Sequence, residues 1–276
     1  MTSQGPRDGT VQANGLTLHY LDWGSPAAPP LVLVHHVSSH AHTWDAFAAR
    51  MARDYRVVAI DLRGHGDSGW AGLGNYTTEQ YASDIAAVVD QLGLSRVVVL
   101  GGSLGGRAAL VYAAEHPDKA AALIMEDVGA VRPPSIAAGF AARIEAGEPE
   151  LDTAEEWAAQ LRGTNERTPP EYFLHLAQHG TKRLPNGKLG LKRDPAIQKD
   201  FVPMELWRYV DQVKAPFLLL IGAESAIVGP DQQEEFPRRA PHIEIETIAG
   251  AGHIIVHDRL DAFEASVRGF LKRHGL

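Results

Sequence analysis

A serine flanked by glycines is the first feature of this sequence that is typical of a catalytic site. Residues 101–105 read GGSLG, so Ser103 has one glycine two positions before it and another two positions after it. An apolar run precedes this segment at 97–100, and a helical pattern follows it from Arg107. In a strand–turn–helix of this kind the sharp turn exposes the serine hydroxyl, and only small residues fit beside it. The sequence therefore predicts Ser103 as a nucleophile.

A serine nucleophile needs a neighbouring general base, because its hydroxyl reacts poorly at its unperturbed pKa. The chain contains 13 histidines, so a single histidine carries little information. His253 differs from the others because it ends the segment GAGH at 250–253, between the last strand-like run and the last helical pattern. That position places it at the edge of the sheet where Ser103 emerges. We predict that His253 accepts the proton of Ser103.

Short apolar runs alternate with helical patterns along the chain, and these elements must position both side chains. Asn14-Gly15 predicts a hairpin over residues 11–20. Later runs, apolar on both faces, are typical of buried parallel strands. They cover residues 31–34, 57–60, 97–100, 123–125 and 217–221, and a strand nearer the sheet edge is predicted at 243–247. The alternation predicts an α/β fold with a mostly parallel central sheet flanked by helices.

Two helices have clear sequence signals. Thr77 and Gln80 form a capping box at the start of a helical pattern that Gly93 ends. Phe263 and Phe270 lie on the apolar face of a closing amphipathic helix. These two helices are expected to pack against the sheet.

The segment 132–214 interrupts the alternation. It contains several helical stretches and no convincing strand, and it is rich in proline, glycine and charge. We interpret it as a helical cap inserted after the strand at 123–125, the sixth along the chain. Residues 1–131 and 215–276 then form the core domain, and the cap is expected to cover the site as a lid.

The composition excludes several other classes of protein. The 276 residues include no cysteine, which rules out a disulfide framework, a thiolate metal site and a cysteine nucleophile. The net charge is −8, without the basic stripe that is typical of nucleic-acid binding. No apolar run approaches the roughly 18 residues of a membrane span, and residues 1–9 are polar, unlike a secretory signal. We expect a cytoplasmic globular protein that binds neither nucleic acid nor membrane.

In these features the chain resembles the α/β-hydrolase family, from about residue 16 to residue 271. Residues 61–68, DLRGHGDS, are similar to a loop after one of the family's central strands, and residues 31–44 are similar to the segment that feeds the oxyanion hole. The similarity is greatest to small capped hydrolases of esters, lactones and carbon–carbon bonds. It implies the α/β-hydrolase fold, the order serine, acid, histidine along the chain, and catalysis without a cofactor.

The acid of the triad departs from the family pattern. In most relatives it is an aspartate shortly after the strand at 217–221, and here Ala226 stands at that position. Glu126 and Asp127 end the sixth strand, where some relatives carry the acid. Strand alternation lets only one of them face His253, and the count from the nucleophile favours Asp127, with Glu126 as the alternative. A weakened site without an acid, or an engineered change at Ala226, stays open.

The resemblance also implies an oxyanion hole made of two backbone N–H groups. Leu104, directly after the nucleophile, supplies one, and Val37 supplies the other. The family has a His-Gly pair where this chain has His35-His36. The imidazole of His36 therefore either points away or lies beside the reacting carbonyl. Trp44 is expected in the core or beside the substrate.

Four histidines close together in sequence raise the question of a metal site, because imidazole is a common metal ligand. They are His35, His36, His40 and His42. We predict no metal, because no carboxylate is placed to complete a ligand set and the fold needs none.

These observations predict a serine hydrolase that cleaves an ester, a lactone or an activated carbon–carbon bond of a small molecule through an acyl-enzyme on Ser103. One alternative is a non-hydrolytic enzyme on the same fold, a lyase, cyclase or cofactor-free oxygenase with a histidine as general base. Another is a weakened homologue that binds a ligand without turnover. The fold does not decide between them. The substrate is not specified, and a homodimer is one option for the assembly.

Overall fold

The computed structural model describes residues 5–132, 147–199 and 204–276. Its strands are β1 (Arg7–Ala13), β2 (Leu16–Trp23), β3 (Pro30–Val34), β4 (Arg56–Ile60), β5 (Val97–Gly102), β6 (Ala120–Glu126), β7 (Thr181–Arg183), β8 (Leu189–Leu191), β9 (Phe217–Gly222) and β10 (Ile243–Ile248). Eight of them form one sheet in the order β1-β2-β4-β3-β5-β6-β9-β10. Strand β2 pairs antiparallel with β1 and β4, and the other neighbours are parallel. The predicted, mostly parallel sheet is confirmed.

The helices lie between these strands and, at the end of the chain, after β10. They are α1 (Asp45–Met51), α2 (Thr78–Gln91), α3 (Leu104–Glu115), α4 (Ala154–Arg162), α5 (Pro170–Gly180), α6 (Ala196–Lys199), α7 (Trp207–Val210), α8 (Pro230–Arg239), α9 (Ile255–Asp258) and α10 (Leu260–Arg273), and a short 3-10 helix (Ala41–Trp44) precedes α1. The predicted capping box is present at α2, where the side chains of Thr77 and Gln80 each accept a hydrogen bond from the other's backbone N–H. Gly93, just past the end of α2, has φ +64°. Among the described helices, none is long and apolar enough to cross a membrane.

Consecutive side chains of each strand point to opposite faces of the sheet. Helices pack on both faces, so the side chains on both are buried. Val32 packs with α2 and α3 on one face, while Leu33 packs with α1 and α10 on the other. The carboxyl ends of β5, β6 and β9 are adjacent in the sheet. The residues that follow these strands therefore meet at one edge, where parallel α/β sheets place their ligand sites.

The segment between β6 and β9 contains α4 to α7, as the helical patterns indicate, but the prediction that it has no strand is wrong. Strands β7 and β8 form a small antiparallel hairpin around Asn186-Gly187. Each has three residues, too few for an alternation to be recognised in the sequence. The segment rests on the core through contacts such as Lys192 with Asp67, at 2.8 Å. Parts of the predicted cap, residues 133–146 and 200–203, lie outside the described residues.

Candidate active site

Ser103 lies in the sharp turn between β5 and α3. Its φ of +48° and ψ of −111° fall in a region that non-glycine residues rarely adopt. The turn is closed by hydrogen bonds from Ser103 N to Glu126 O and from Arg107 N to Ser103 O, both 3.1 Å. A Cβ atom at Gly105 would lie 2.2 Å from Val34 O. The glycine is therefore required for α3 to start this close to β3.

Asp127 follows β6 directly and is fully buried. It also has a positive φ, +46°, which turns its side chain away from the line of the strand. Its Oδ2 lies 2.8 Å from His253 Nδ1 and also accepts a hydrogen bond from the Ser225 hydroxyl. Its Oδ1 accepts a hydrogen bond from Gly222 N at 3.1 Å. The aspartate named from the sequence is thus the carboxylate that the structure brings to His253.

The loop after β9 contributes a hydroxyl where the family pattern has a carboxylate. Ala226 is exposed, and its neighbour Ser225 donates to Asp127 and accepts from Ile227 N at 3.2 Å. The nearest acid in this loop, Glu224, is exposed and forms an ion pair with Arg167 at 2.8 Å. The contact of Ser225 with Asp127 was missed from the sequence, since it depends on how two loops pack.

His253 is half-buried, and the loop that carries it is fixed by a hydrogen bond from Gly252 N to Asp258 Oδ2 at 2.8 Å. A carboxylate only accepts hydrogen bonds, so Nδ1 of His253 donates to Asp127 and Nε2 is the basic nitrogen. Among the described residues, Ser103 and His253 form no hydrogen bond with each other. Such bonds often shorten only when substrate is bound.

Glu126, the alternative acid, points to the other side of β6. Its Oε1 accepts a hydrogen bond from Val256 N at 2.8 Å, and its Oε2 lies 3.0 Å from His36 Nε2 without hydrogen-bond geometry. Burial raises the pKa of Glu126 to about 7. Burial, aided by the nearby His253, lowers the pKa of His36 to about 3. Both shifts favour neutral forms, so the two groups are a close polar contact rather than an ion pair.

His36 is buried between Trp44 and the residues next to the nucleophile. Its ring stacks on Trp44 at 5.8 Å between centroids and meets the ring of His253 edge-on at 6.0 Å. A Cβ atom at Gly102 would lie 2.2 Å from His36 Nε2, so the imidazole fills the space beside the residue that precedes Ser103. Trp44 is fully buried, which agrees with a core position.

The two amides predicted for the oxyanion hole are both unoccupied by protein acceptors. Leu104 is the first residue of α3, where a helix leaves its N–H groups unsatisfied. Val37 precedes a turn in which Ser38 has φ +63° and Ser39 N donates to His36 O. Within the described part of the chain, neither Leu104 N nor Val37 N donates a hydrogen bond.

The four histidines near the start of the chain do not converge on one point. His35 accepts a hydrogen bond from Leu62 N at 3.0 Å, and His40 Nε2 lies 3.0 Å from a carbonyl of α5. His42 is different, because its Nδ1 lies 2.8 Å from Asp45 Oδ2. The prediction that no carboxylate is placed to complete a ligand set is therefore wrong at His42. The spacing of His42 and Asp45 was the sequence signal for this contact.

Comparisons with known proteins agree with the fold. A family model described as alpha/beta hydrolase fold matches residues 29–260. Esterase Rv0045c of Mycobacterium tuberculosis is 32% identical over 273 residues, covering 95% of this chain and 88% of that protein. N-formylmaleamate deformylase of Pseudomonas putida is 29% identical over 266 residues, covering 95% and 96%. The chain belongs to the α/β-hydrolase family.

A solved structure gives the same result for the fold alone. The crystal structure of E-2-(acetamidomethylene)succinate hydrolase superposes with a TM-score of 0.89 at 22% identity, covering 97% of this chain and 99% of that one. The predicted family and fold class are thereby confirmed. The named relatives that match in sequence are an esterase and a deformylase, which supports a hydrolase in general.

Proposed function

We propose that this protein is a serine hydrolase that cleaves a carboxylic ester, lactone or activated carbon–carbon bond of a small molecule. The observation that carries the proposal is the 2.8 Å contact of Asp127 with His253. It supplies an oriented base, although Ala226 occupies the usual position of the acid. The strained turn at Ser103 and the free amides of Leu104 and Val37 supply the remaining groups of an acyl-transfer site.

In this mechanism His253 Nε2 takes the proton of Ser103 as its oxygen attacks the substrate carbonyl carbon. The N–H groups of Leu104 and Val37 hold the oxyanion of the tetrahedral intermediate. The intermediate collapses, the bond to the leaving group breaks, and His253 returns the proton to the leaving group. Water then attacks the acyl-enzyme with His253 as base, which releases the acid and restores Ser103.

Asp127 acts on His253 rather than on the substrate. Accepting from Nδ1 fixes the tautomer in which Nε2 is basic, and the carboxylate stabilises the imidazolium that forms during attack. The hydrogen bonds from Gly222 and Ser225 hold Asp127 in this orientation. The Asp127 carboxylate is fully buried, and a buried charge needs hydrogen-bond partners, which these contacts provide.

The names of the relatives favour esters as the first substrates to test. Two relatives are named esterases and a third a lipase, whereas two others are a deformylase and a 2-(acetamidomethylene)succinate hydrolase. We further propose that the segment 132–214 is a cap that bounds the substrate pocket. A cytoplasmic location and a homodimer stay predictions.

The proposal is tested by hydrolysis of 4-nitrophenyl esters of increasing acyl length, together with a set of lactones. We expect turnover of at least one of these substrates, and its loss in Ser103→Ala. Ser95→Ala is the matched control, because Ser95 is exposed on the surface. Wild-type turnover by Ser103→Ala would overturn the acyl-enzyme mechanism. It would favour a reaction in which His253 alone acts as general base.

A further inference from the structure

Three histidines and an aspartate converge where the segment between β6 and β9 meets the core, outside the site described above. His42 lies in the 3-10 helix, and Asp45 begins α1. His175 and His179 lie one turn apart on α5 and thus share a face of that helix. One nitrogen or oxygen from each side chain lies within 4.8 Å of those of the other three. We call these four residues the His42 cluster.

The contacts inside the His42 cluster leave its groups incompletely satisfied. Asp45 Oδ2 lies 2.8 Å from His42 Nδ1 and 2.9 Å from His175 Nε2. The rings of His42 and His179 stack at 3.7 Å between centroids, and those of His175 and His179 are 4.6 Å apart. The second oxygen, Asp45 Oδ1, is buried and meets no hydrogen-bond donor among the described residues. A buried carboxylate oxygen without a donor is costly unless another positive group is present.

Three imidazoles and one carboxylate are the donor set of a borderline divalent cation. Imidazole nitrogen and carboxylate oxygen bind Zn²⁺ at about 2.0–2.2 Å in a tetrahedron, which places neighbouring ligand atoms about 3.3 Å apart. Asp45 Oδ2 lies closer than this to the nitrogens of His42 and His175, at 2.8 and 2.9 Å. The other ligand atoms of the cluster are separated by up to 4.8 Å. Binding therefore requires side-chain rotations, above all of the stacked rings of His42 and His179.

We propose that His42, Asp45, His175 and His179 bind a divalent transition-metal ion, with Zn²⁺ preferred. The ion displaces the protons that His42 Nδ1 and His175 Nε2 now donate to Asp45, and it becomes the positive partner of that carboxylate. Four protein ligands complete the tetrahedron and leave no open position, which is typical of a structural site rather than a catalytic one. The bound ion would fix α5 to the 3-10 helix and to α1.

A second group of possible ligands in the described residues does not have these properties. His19, Asp61 and Asp67 also lie close together. Asp61, however, already accepts hydrogen bonds from Ala41 N at 2.6 Å, Asp67 N at 2.9 Å and His19 Nδ1 at 2.7 Å. Its carboxylate is satisfied by the protein, so this group is a structural network of the loop after β4.

The experiment uses the full chain without a histidine tag, stripped with a chelator and then titrated with Co²⁺ and Zn²⁺. We expect one Co²⁺ per chain, with the visible absorption of a tetrahedral ion, and its displacement by Zn²⁺. His175→Gln and His179→Gln are each expected to weaken Zn²⁺ binding by about tenfold or more. His242→Gln, on the exposed surface away from the His42 cluster, is the control and should bind as the wild type does.

Thermal unfolding gives a second readout. Zn²⁺ should raise the Tm of the wild type, because it binds only the folded chain, and should leave the Tm of the His175→Gln/His179→Gln variant unchanged. Equal Tm values of both proteins in chelator show that the variant folds. The proposal is wrong if the wild type binds no ion at micromolar concentration, or if the double variant binds it equally well. Neither outcome affects the proposed hydrolase activity, which does not involve these residues.

Discussion

At the scale of single residues, the proposed triad differs from the family pattern in the position of its acid, which follows β6 rather than β9. The positive φ of Asp127 directs its carboxylate to His253, while Glu126 hydrogen-bonds Val256 on the other side of β6. Strand alternation predicted that only one of these acids could reach His253, and the structure places Asp127 there. The sequence could not predict the hydroxyl of Ser225 as a third partner, since that contact joins segments about a hundred positions apart.

Replacing Asp127 by asparagine tests its role. Asparagine keeps the shape of the side chain but no longer fixes the histidine tautomer, so kcat is expected to fall by about 10⁴ with little change in KM. Ester hydrolysis by the purified variant measures this. Glu224→Gln is the control, because that exposed acid of the neighbouring loop pairs with Arg167, and its turnover should be near that of the wild type. Equal turnover of Asp127→Asn and the wild type would contradict the relocated acid.

At the scale of elements, the turn between β5 and α3 is specified most strictly. Helix α3 begins so close to β3 that only a hydrogen atom fits at Gly105. Gly269, in the middle of α10, is also a helical glycine, but a Cβ atom there meets only the tip of the Arg273 side chain at 3.3 Å. The two glycines thus have opposite roles in stability.

Alanine substitutions at these two glycines should shift stability in opposite directions. Gly105→Ala would force its Cβ atom against Val34 O in a packed turn. It is expected to lower the free energy of unfolding by at least about 1–3 kcal/mol. Gly269→Ala should raise it by about 0.5–1 kcal/mol, because alanine has the higher helix propensity. Urea unfolding monitored by circular dichroism measures both values. A neutral Gly105→Ala would show that the turn has more room than the structure indicates.

Elements with strong local signals were predicted well, and elements held by distant contacts were not. The capping box at Thr77, the hairpin at Asn14-Gly15 and the buried strands are encoded by neighbouring residues, so the sequence alone indicates them. Strands β7 and β8 are too short to show a period. The His42 cluster was missed because α1 and α5 meet only in the folded chain.

At the scale of the whole molecule, several buried histidines are kept neutral. Burial lowers the pKa of His35 to about 4, and burial together with nearby His36 lowers that of His257 to about 4. Between pH 6.5 and 4 the unfolded chain therefore binds more protons at these positions than the folded chain does. Glu126, with its pKa raised to about 7, acts in the opposite direction, but burial also lowers the pKa of His36 to about 3 and that of His40 to about 4, which adds to the effect of His35 and His257.

Stability is therefore expected to fall as the pH is lowered from about 6.5 to about 4. Each such histidine contributes up to about 1.4 kcal/mol per pH unit. Thermal unfolding in chelator at a series of pH values between 7 and 4.5 measures the effect. His257→Gln should show a shallower loss, because glutamine does not titrate and can still hydrogen-bond Thr43. A Tm that is constant over this range, or the same slope in both proteins, would contradict the assignment.

The central claim is that Ser103 is activated even though Ala226 replaces the usual acid. Labelling with a fluorophosphonate, followed by intact mass and peptide mapping, tests it most directly because only an activated serine reacts rapidly. We expect a single label on Ser103 in the wild type, much slower labelling of Asp127→Asn, and none of Ser103→Ala. Absence of labelling in folded wild-type protein, or a label at another serine, would contradict the account.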